Sequence, residues 1–191
     1  YCGSSLGKNP AFSLGASSLA RVMCARGIGL VYGGAAVGVM GVLANAVLES
    51  GGQAIGVIPR SLAVKEVAHH NLTELHVVAS MHERKAMMAE LADGFIALPG
   101  GYGTFEELFE VLTWAQIGLH TKPVGLLNAE AYFDPLLAAI EHARHEGFMY
   151  EQHRGLFTHA SQPEALLDQL EKHRLPDNLD VWWTREHPEE T

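Results

Sequence analysis

The chain has 191 residues, 48% hydrophobic and 18% charged, a composition that suits one globular domain with a substantial core. Its formal net charge is -9 with no run of Lys or Arg, which argues against a nucleic-acid backbone as partner while leaving room for a small anionic ligand. No apolar run reaches about 18 residues, so no membrane span is expected, and the two cysteines, Cys2 and Cys24, sit in no CxxC or Cys/His cluster, which disfavours a disulfide framework or structural zinc and points to a reducing, cytoplasmic setting.

The sequence opens on Tyr1-Cys2-Gly3-Ser4-Ser5 without an initiator Met, and no signal peptide is visible. Residues 3–5 read as a turn after the remnant of a strand, so a truncated start is expected, with most of a first strand missing. Residues 11–26 read as a helix stopped by Gly27. Ile28–Tyr32 is a buried strand closed by Gly33-Gly34, and a helix over about 38–50 is stopped by Gly51-Gly52. Ala54–Ile58 is the next strand, ended by Pro59. Residues 60–73 look irregular, and Leu75–Val78 is a short strand. Met81–Ala92 is a helix, Phe95–Leu98 a strand, and 105–118 a helix after a glycine turn. Val124–Leu127 is a strand, 133–146 a helix, Leu156–Thr158 a last strand and 162–173 a last helix. The polar tail 174–191 holds Trp182 and Trp183, which leaves 1–173 as a single domain.

Strands alternating with helices imply an α/β fold, a doubly wound parallel sheet of about seven strands with helices on both faces. Ligands of such sheets sit beyond the carboxyl ends of the strands. The turns 3–5, 33–41 and 99–104 all lie there, so they are expected to converge.

The third turn carries the clearest chemistry. Pro99-Gly100-Gly101-Tyr102-Gly103-Thr104 follows a strand and opens a helix. Glycines let backbone N–H groups approach a ligand, and a helix start adds unpaired N–H groups and partial positive charge. Together they suit a phosphate, with the Thr104 hydroxyl as a further donor. A tight strand-to-helix turn without ligand is the plainer alternative. No Gly-Lys-Ser/Thr follows, so this is not a Walker A loop. Gly33, Gly34, Gly38 and Gly41 do not fit GxGxxG, and Ile58-Pro59-Arg60 lacks an acidic residue for a ribose, which disfavours NAD.

Two charged residues stand out nearby. Thr104-x-x-Glu107 reads as a capping box, yet Glu107 shares a helix face with Val111 and Trp114, while Phe105, Leu108, Leu112 and Ala115 line the other. A helix apolar on two sides puts Glu107 at the edge of a cleft or interface. Arg84 falls inside a stripe of Met81, Met87, Met88 and Leu91, with Lys85 on its flank. Either its stem is buried with its head in water, or its guanidinium enters a polar pocket to meet a phosphate or a carboxylate such as Glu107. The eleven histidines are scattered, and His69-His70 and His142/His145 lack companions at zinc spacing, so no metal is expected.

These residues resemble a known family. Met81-His-Glu-Arg84-Lys85 and Pro99-Gly-Gly-Tyr-Gly-Thr-Phe-Glu-Glu107 match the M-x-x-R-K and P-G-G-x-G-T-x-x-E signatures of the Lonely Guy family, cytokinin riboside 5′-monophosphate phosphoribohydrolases once mislabelled lysine decarboxylases. The likeness runs from Cys2-Gly-Ser-Ser5 through Tyr32-Gly-Gly34 and Thr113-Trp114-Ala-Gln116 to Gly147-Phe148; the tail beyond about residue 174 is less typical. It implies a Rossmann-like sheet, a homodimer, and hydrolysis of the N-glycosidic bond of AMP or an N6-substituted AMP, without cofactor. The catalytic pair falls on Arg84 and Glu107. Substrate contacts fall on Ser4, Gly34, Glu66, Met81, Lys85, Gly100, Gly101, Tyr102, Gly103, Thr104, Glu106 and Thr113. Nothing marks a pyridoxal-phosphate site. The other readings are a nucleotide-binding module without catalysis and a nucleosidase of different base preference.

Overall fold

The computed structural model describes residues 1–63, 67–177 and 179. Helix α1 (Ala11–Ala25) leads to β1 (Leu30–Tyr32), α2 (Gly38–Glu49) and β2 (Ala54–Pro59). A helical turn α3 (Arg60–Leu62) precedes β3 (Glu74–Val78), α4 (Met81–Leu91) and β4 (Phe95–Ala97). Then come α5 (Tyr102–Gln116), β5 (Val124–Leu127), α6 (Asp134–His145), β6 (Thr158–Ala160) and α7 (Pro163–Lys172).

All strand pairs are parallel, as the alternation with helices requires. The expected single sheet of about seven strands is not what forms, because β1 and β4 do not pair with one another. Instead the strands make two three-stranded sheets, ordered β1-β2-β3 and β4-β5-β6. Residues 1–3 run along the free side of β4: the Tyr1 backbone nitrogen donates to the Ile96 carbonyl at 2.8 Å, and the Leu98 N–H donates to the Tyr1 carbonyl at 2.9 Å.

Strand alternation divides the core in two. Leu98 and Leu127 join Leu19 of α1, Leu43 of α2 and Leu166 of α7 in one cluster. Phe95, Ala97, Val124 and Leu126 face the other way, onto Leu108, Val111 and Ala115 of α5. Helices therefore cover both faces, as the sequence implies.

Helix α4 is fixed at both ends. The Ser80 hydroxyl accepts from the Glu83 N–H at 3.1 Å, and the Glu83 carboxylate accepts from the Ala79 N–H at 2.8 Å, a reciprocal cap. At its far end the Lys122 ammonium donates to the Ala89 and Ala92 carbonyls at 2.7 and 2.6 Å, pairing exposed helix ends with a cation.

Other boundaries shift. The last strand lies at 158–160 rather than 156–158, because Glu151–Leu156 winds into a 3-10 segment. Residues 60–62 are helical, not irregular. Helix α5 begins at Tyr102, three residues earlier than expected, so the glycine turn supplies its first turn. Trp182 and Trp183 lie outside the described residues.

Glycine is required where the 3–5 turn meets α2. Gly38 has φ +61, and a Cβ there would stand 2.2 Å from the Ser4 carbonyl carbon. Gly38→Ala is expected to lower stability by roughly 2 kcal/mol or more, through left-handed backbone and overpacking. Urea denaturation followed by circular dichroism checks this; an unchanged midpoint contradicts it.

Candidate active site

The three turns do converge. The Gly3 N–H donates to the Pro99 carbonyl at 3.1 Å, and the Met40 N–H of α2 reaches the Gly3 carbonyl at 3.3 Å. The 33–34 turn joins them through Arg84, whose Nη2 lies so close that a Cβ on Gly33 would stand 1.9 Å away. Only glycine leaves that space.

Arg84 and Glu107 meet beside these turns. Arg84 Nη2 lies 3.5 Å from Glu107 Oε1, with the two side chains only 10% and 9% exposed. The Arg84 Nε donates to the Val57 carbonyl of β2 at 3.2 Å, which fixes the guanidinium's direction. So the Arg84 head is not in water; it takes the polar-pocket alternative. Burial raises the Glu107 carboxyl above its ordinary 4.5, partly offset by the Arg84 guanidinium. Tyr1 and Cys2 stand close to this pair, and burial pushes the Cys2 thiol up to about 11.

The stripe expected on α4 is buried at its middle and exposed at its ends. Arg84, Lys85 and Met88 are buried, whereas Met81 and Leu91 are each 42% exposed. The charged side chains go inward because each finds a partner there. Lys85 donates to the Glu110 carboxylate at 2.8 Å and to that of Glu106. Burial pulls the Lys85 ammonium down, and the two carboxylates outweigh it, holding the group above its ordinary value. Glu110 was not foreseen; its spacing of four from Glu106 on one helix, facing a lysine inside an apolar stripe, was the available signal.

The capping box is absent from the structure. Gly101 occupies the N-cap with no side-chain bond, and Thr104 lies buried in the first turn. Glu107 is therefore one turn inside α5, free of capping duty. Gly100 is crowded: a Cβ there would sit 2.0 Å from Thr104 Oγ1 and 2.8 Å from the Gly3 nitrogen. A Cβ on Gly101 or Gly103 would meet nothing within 4 Å. Those two glycines are thus not demanded by the protein's own packing. The Tyr132 hydroxyl donates to the Gly100 carbonyl and anchors the turn from behind.

The remaining expected residues are more dispersed. Ser4 and Tyr102 are exposed beside the turns, Tyr102 at 94%. Gly34, with φ +74, is buried, and its carbonyl accepts from the His69 N–H at 2.9 Å. Thr113 sits six residues beyond Glu107 on α5, exposed, with its hydroxyl donating to the Phe109 carbonyl at 2.7 Å. Glu66 lies outside the described residues.

Among known proteins, a family model described as possible lysine decarboxylase matches residues 40–170. A cytokinin riboside 5′-monophosphate phosphoribohydrolase of Rhodococcoides fascians is 57% identical over 150 residues, 78% of this chain and 76% of that protein. One of Oryza sativa subsp. japonica is 46% identical over 188 residues, 98% of this chain and 78% of its own length. The fold is similar to that of the molybdenum cofactor binding protein of Rippkaea orientalis, with a TM-score of 0.66 at 22% identity over 87% of this chain and 90% of that one. With the signatures at 81–85 and 99–107 folded into one buried cluster, these matches show that the chain belongs to the cytokinin riboside 5′-monophosphate phosphoribohydrolase family, whose family model is described as possible lysine decarboxylase.

Proposed function

We propose that the chain hydrolyses the N-glycosidic bond of a nucleoside 5′-monophosphate, AMP or an N6-substituted AMP, releasing the free base and ribose 5-phosphate. The observation that carries this reading is the buried Arg84–Glu107 pair one turn inside a helix whose glycine-rich start faces open space. The start of α5 and Glu107 are five residues apart, about 8 Å along the axis, which leaves room for a ribose between phosphate and carboxylate. Relatives 46–57% identical carry the name of this activity.

The reaction breaks the bond between C1′ and the base nitrogen. The base leaves with the electron pair and takes up a proton, and the water that adds to C1′ gives one up, leaving a hydroxyl on the sugar. Positive charge grows on the sugar as the bond lengthens, as in glycoside hydrolysis. The Glu107 carboxylate stabilises that charge, and poor hydration makes its field stronger. Arg84 keeps Glu107 ionised and aimed. N–H groups of residues 101–104 hold the phosphate, and this remote binding positions the sugar. Thr104, Ser4 and Gly34 lie around the same turns, and Lys85, held by Glu106 and Glu110, ties α4 to α5 beside them.

We also propose a homodimer. Tyr102, Glu106, Phe109, Thr113 and Ile117 recur at three- and four-residue spacing along the exposed face of α5. A second copy over this face would cover its apolar side chains and bring a neighbour beside Glu106 and Thr113. The free thiols Cys2 and Cys24 suit a cytoplasmic setting. Among the described residues no helix is long and apolar enough to cross a membrane.

Glu107→Gln and Arg84→Ala are each expected to lower kcat for base release from AMP by at least about 100-fold, with far-ultraviolet circular dichroism unchanged. Chromatography of the products measures this, and near-normal turnover in both variants refutes the assignment; AMP bound but left intact by the unaltered protein favours a binding module. Gly103→Ala gives a sharper contrast. It favours the helix by up to about 1 kcal/mol, yet should raise KM for AMP while leaving the slow turnover of adenosine unaffected. An unaltered KM would remove the turn from phosphate binding.

The pH dependence follows from the raised Glu107 carboxyl. Since the ionised form acts, kcat/KM should fall on the acid side with an apparent pKa above the ordinary 4.5. The folded chain binds that proton more tightly than the unfolded chain. Stability therefore decreases, relative to Glu107→Gln, as pH rises from 4.5 through the folded value. Paired denaturation curves across pH test the sign; a difference that moves the opposite way contradicts it.

A further inference from the structure

One peptide unit decides what the glycine turn presents. The Gly100–Gly101 peptide is trans, so its carbonyl and its N–H point in opposite directions. Glycine on both sides makes turning this unit over easy. Its surroundings are held. The Pro99 carbonyl takes the Gly3 N–H at 3.1 Å, and the Gly101 carbonyl takes the Phe105 N–H at 3.1 Å. Gly100 itself is boxed in by Thr104 and Gly3. The unit between these fixed points makes one hydrogen bond among the described residues, from the Tyr132 hydroxyl to the Gly100 carbonyl. With that carbonyl turned back onto Tyr132, the Gly101 N–H points the other way. A Cβ on Gly101 would meet nothing within 4 Å.

Tyr132 is delivered to this carbonyl by strained backbone. Glu130 and Ala131 have φ +52 and +56, and among the described residues they are the two non-glycine positions with positive φ. Such strain persists only where the surroundings over-determine it, and it gathers at sites with a task. Here the surroundings do so. The Asn128 N–H donates to the Ala160 carbonyl at 2.8 Å. The Asn128 side chain then spans the strained pair, accepting from the Phe133 N–H at 2.7 Å and donating to the Asp134 carboxylate at 2.7 Å. Phe133 is fully buried. The Tyr132 ring packs edge-on against Phe12 of α1 and against Phe133, at centroid separations of 5.4 and 5.1 Å. A phenylalanine ring would make the same contacts. The hydroxyl is what packing leaves unexplained, and its partner is the glycine turn.

We infer that Tyr132 is a positioning residue for the substrate phosphate: its hydroxyl holds the Gly100–Gly101 peptide so that the Gly101 N–H is aimed out of the turn at the phosphate oxygens. This rests on the reading of the turn as the phosphate holder. Without the hydroxyl the unit can turn over and offer its carbonyl, which repels an anion, in place of a donor. Tyr132 works from behind the turn, so it sets the preference for a 5′-phosphorylated nucleoside over the free nucleoside and leaves recognition of the base to other groups.

The test uses the Glu107→Gln protein, in which the nucleotide should stay intact, and measures Kd for AMP and for adenosine by calorimetry, with and without Tyr132→Phe. The ratio of the adenosine Kd to the AMP Kd should fall by at least about fivefold in Tyr132→Phe, the scale of one hydrogen bond. A role in packing alone would lower Tm and leave this ratio unchanged, and an unchanged ratio overturns the inference. Ala131→Gly is the matching control. Glycine tolerates φ +56, so Tm should hold or rise and the ratio should stay that of the parent. A fall as large as in Tyr132→Phe would make the strained backbone the determinant and overturns the inference. Amide shifts on adding AMP to the Glu107→Gln protein give a readout independent of the Tyr132 variant's folding. The Gly101 amide proton should move downfield. Movement at Gly103 and Thr104 without Gly101 overturns the inference alone, whereas no movement at any of the three removes the phosphate from the turn and both readings with it. Base release by the unaltered protein tests the hydrolysis separately.

Discussion

A guanidinium and a carboxylate, each shielded from water, hold one another between α4 and α5, and much of the structure serves to make that contact tolerable. Removing two charges from water is costly unless geometry and further hydrogen bonds compensate. Here the compensation is specific. The Val57 carbonyl takes the Arg84 Nε, Gly33 gives up its side-chain space, and both ends of α4 are capped so that Arg84 keeps its azimuth. Glu107 projects from α5 toward it, because α5 packs its Leu108 and Val111 side against β4 and β5.

Helix α5 carries two tasks on different faces. Its first turn is the glycine segment, whose open N–H groups suit an anion. Its buried side presents Glu107, one turn on. The short axial separation of these features keeps the carboxylate close to the anion-suited helix start. Lys85 stabilises the same region from α4, held by Glu106 and Glu110. The net charge of -9 is no obstacle to an anionic ligand, since unpaired N–H groups at a helix start supply positive potential locally.

Legibility in the sequence was uneven, for physical reasons. Periodicity located the helices within a few residues, because amphipathic faces are local features. The start of α5 was misplaced, since glycines disfavour helices and only the packing of the following apolar residues carries the helix back to Tyr102. The Thr104–Glu107 spacing matched a cap that does not form, as Gly101 took the N-cap and Thr104 turned inward. The α4 stripe misled in a similar way. Met88 and Arg84 of the expected stripe are buried, but Met81 and Leu91 at its ends are exposed and Lys85 on its flank goes inward, because its carboxylate partners lie on another helix and are invisible to a local pattern.

What the sequence determined by itself is the order of elements, the parallel α/β class, the glycine turn that opens a helix, and Arg84 and Glu107 as residues that meet. These follow from backbone propensities and from residue types at short spacing. The tertiary structure decided the rest: that three distant turns share one mouth, that Glu110 shares Lys85 with Glu106, that Gly33 is the seat of Arg84, and that β1 and β4 belong to separate sheets. Each of these depends on which surfaces meet across the core, and that is set by packing between segments far apart in the chain.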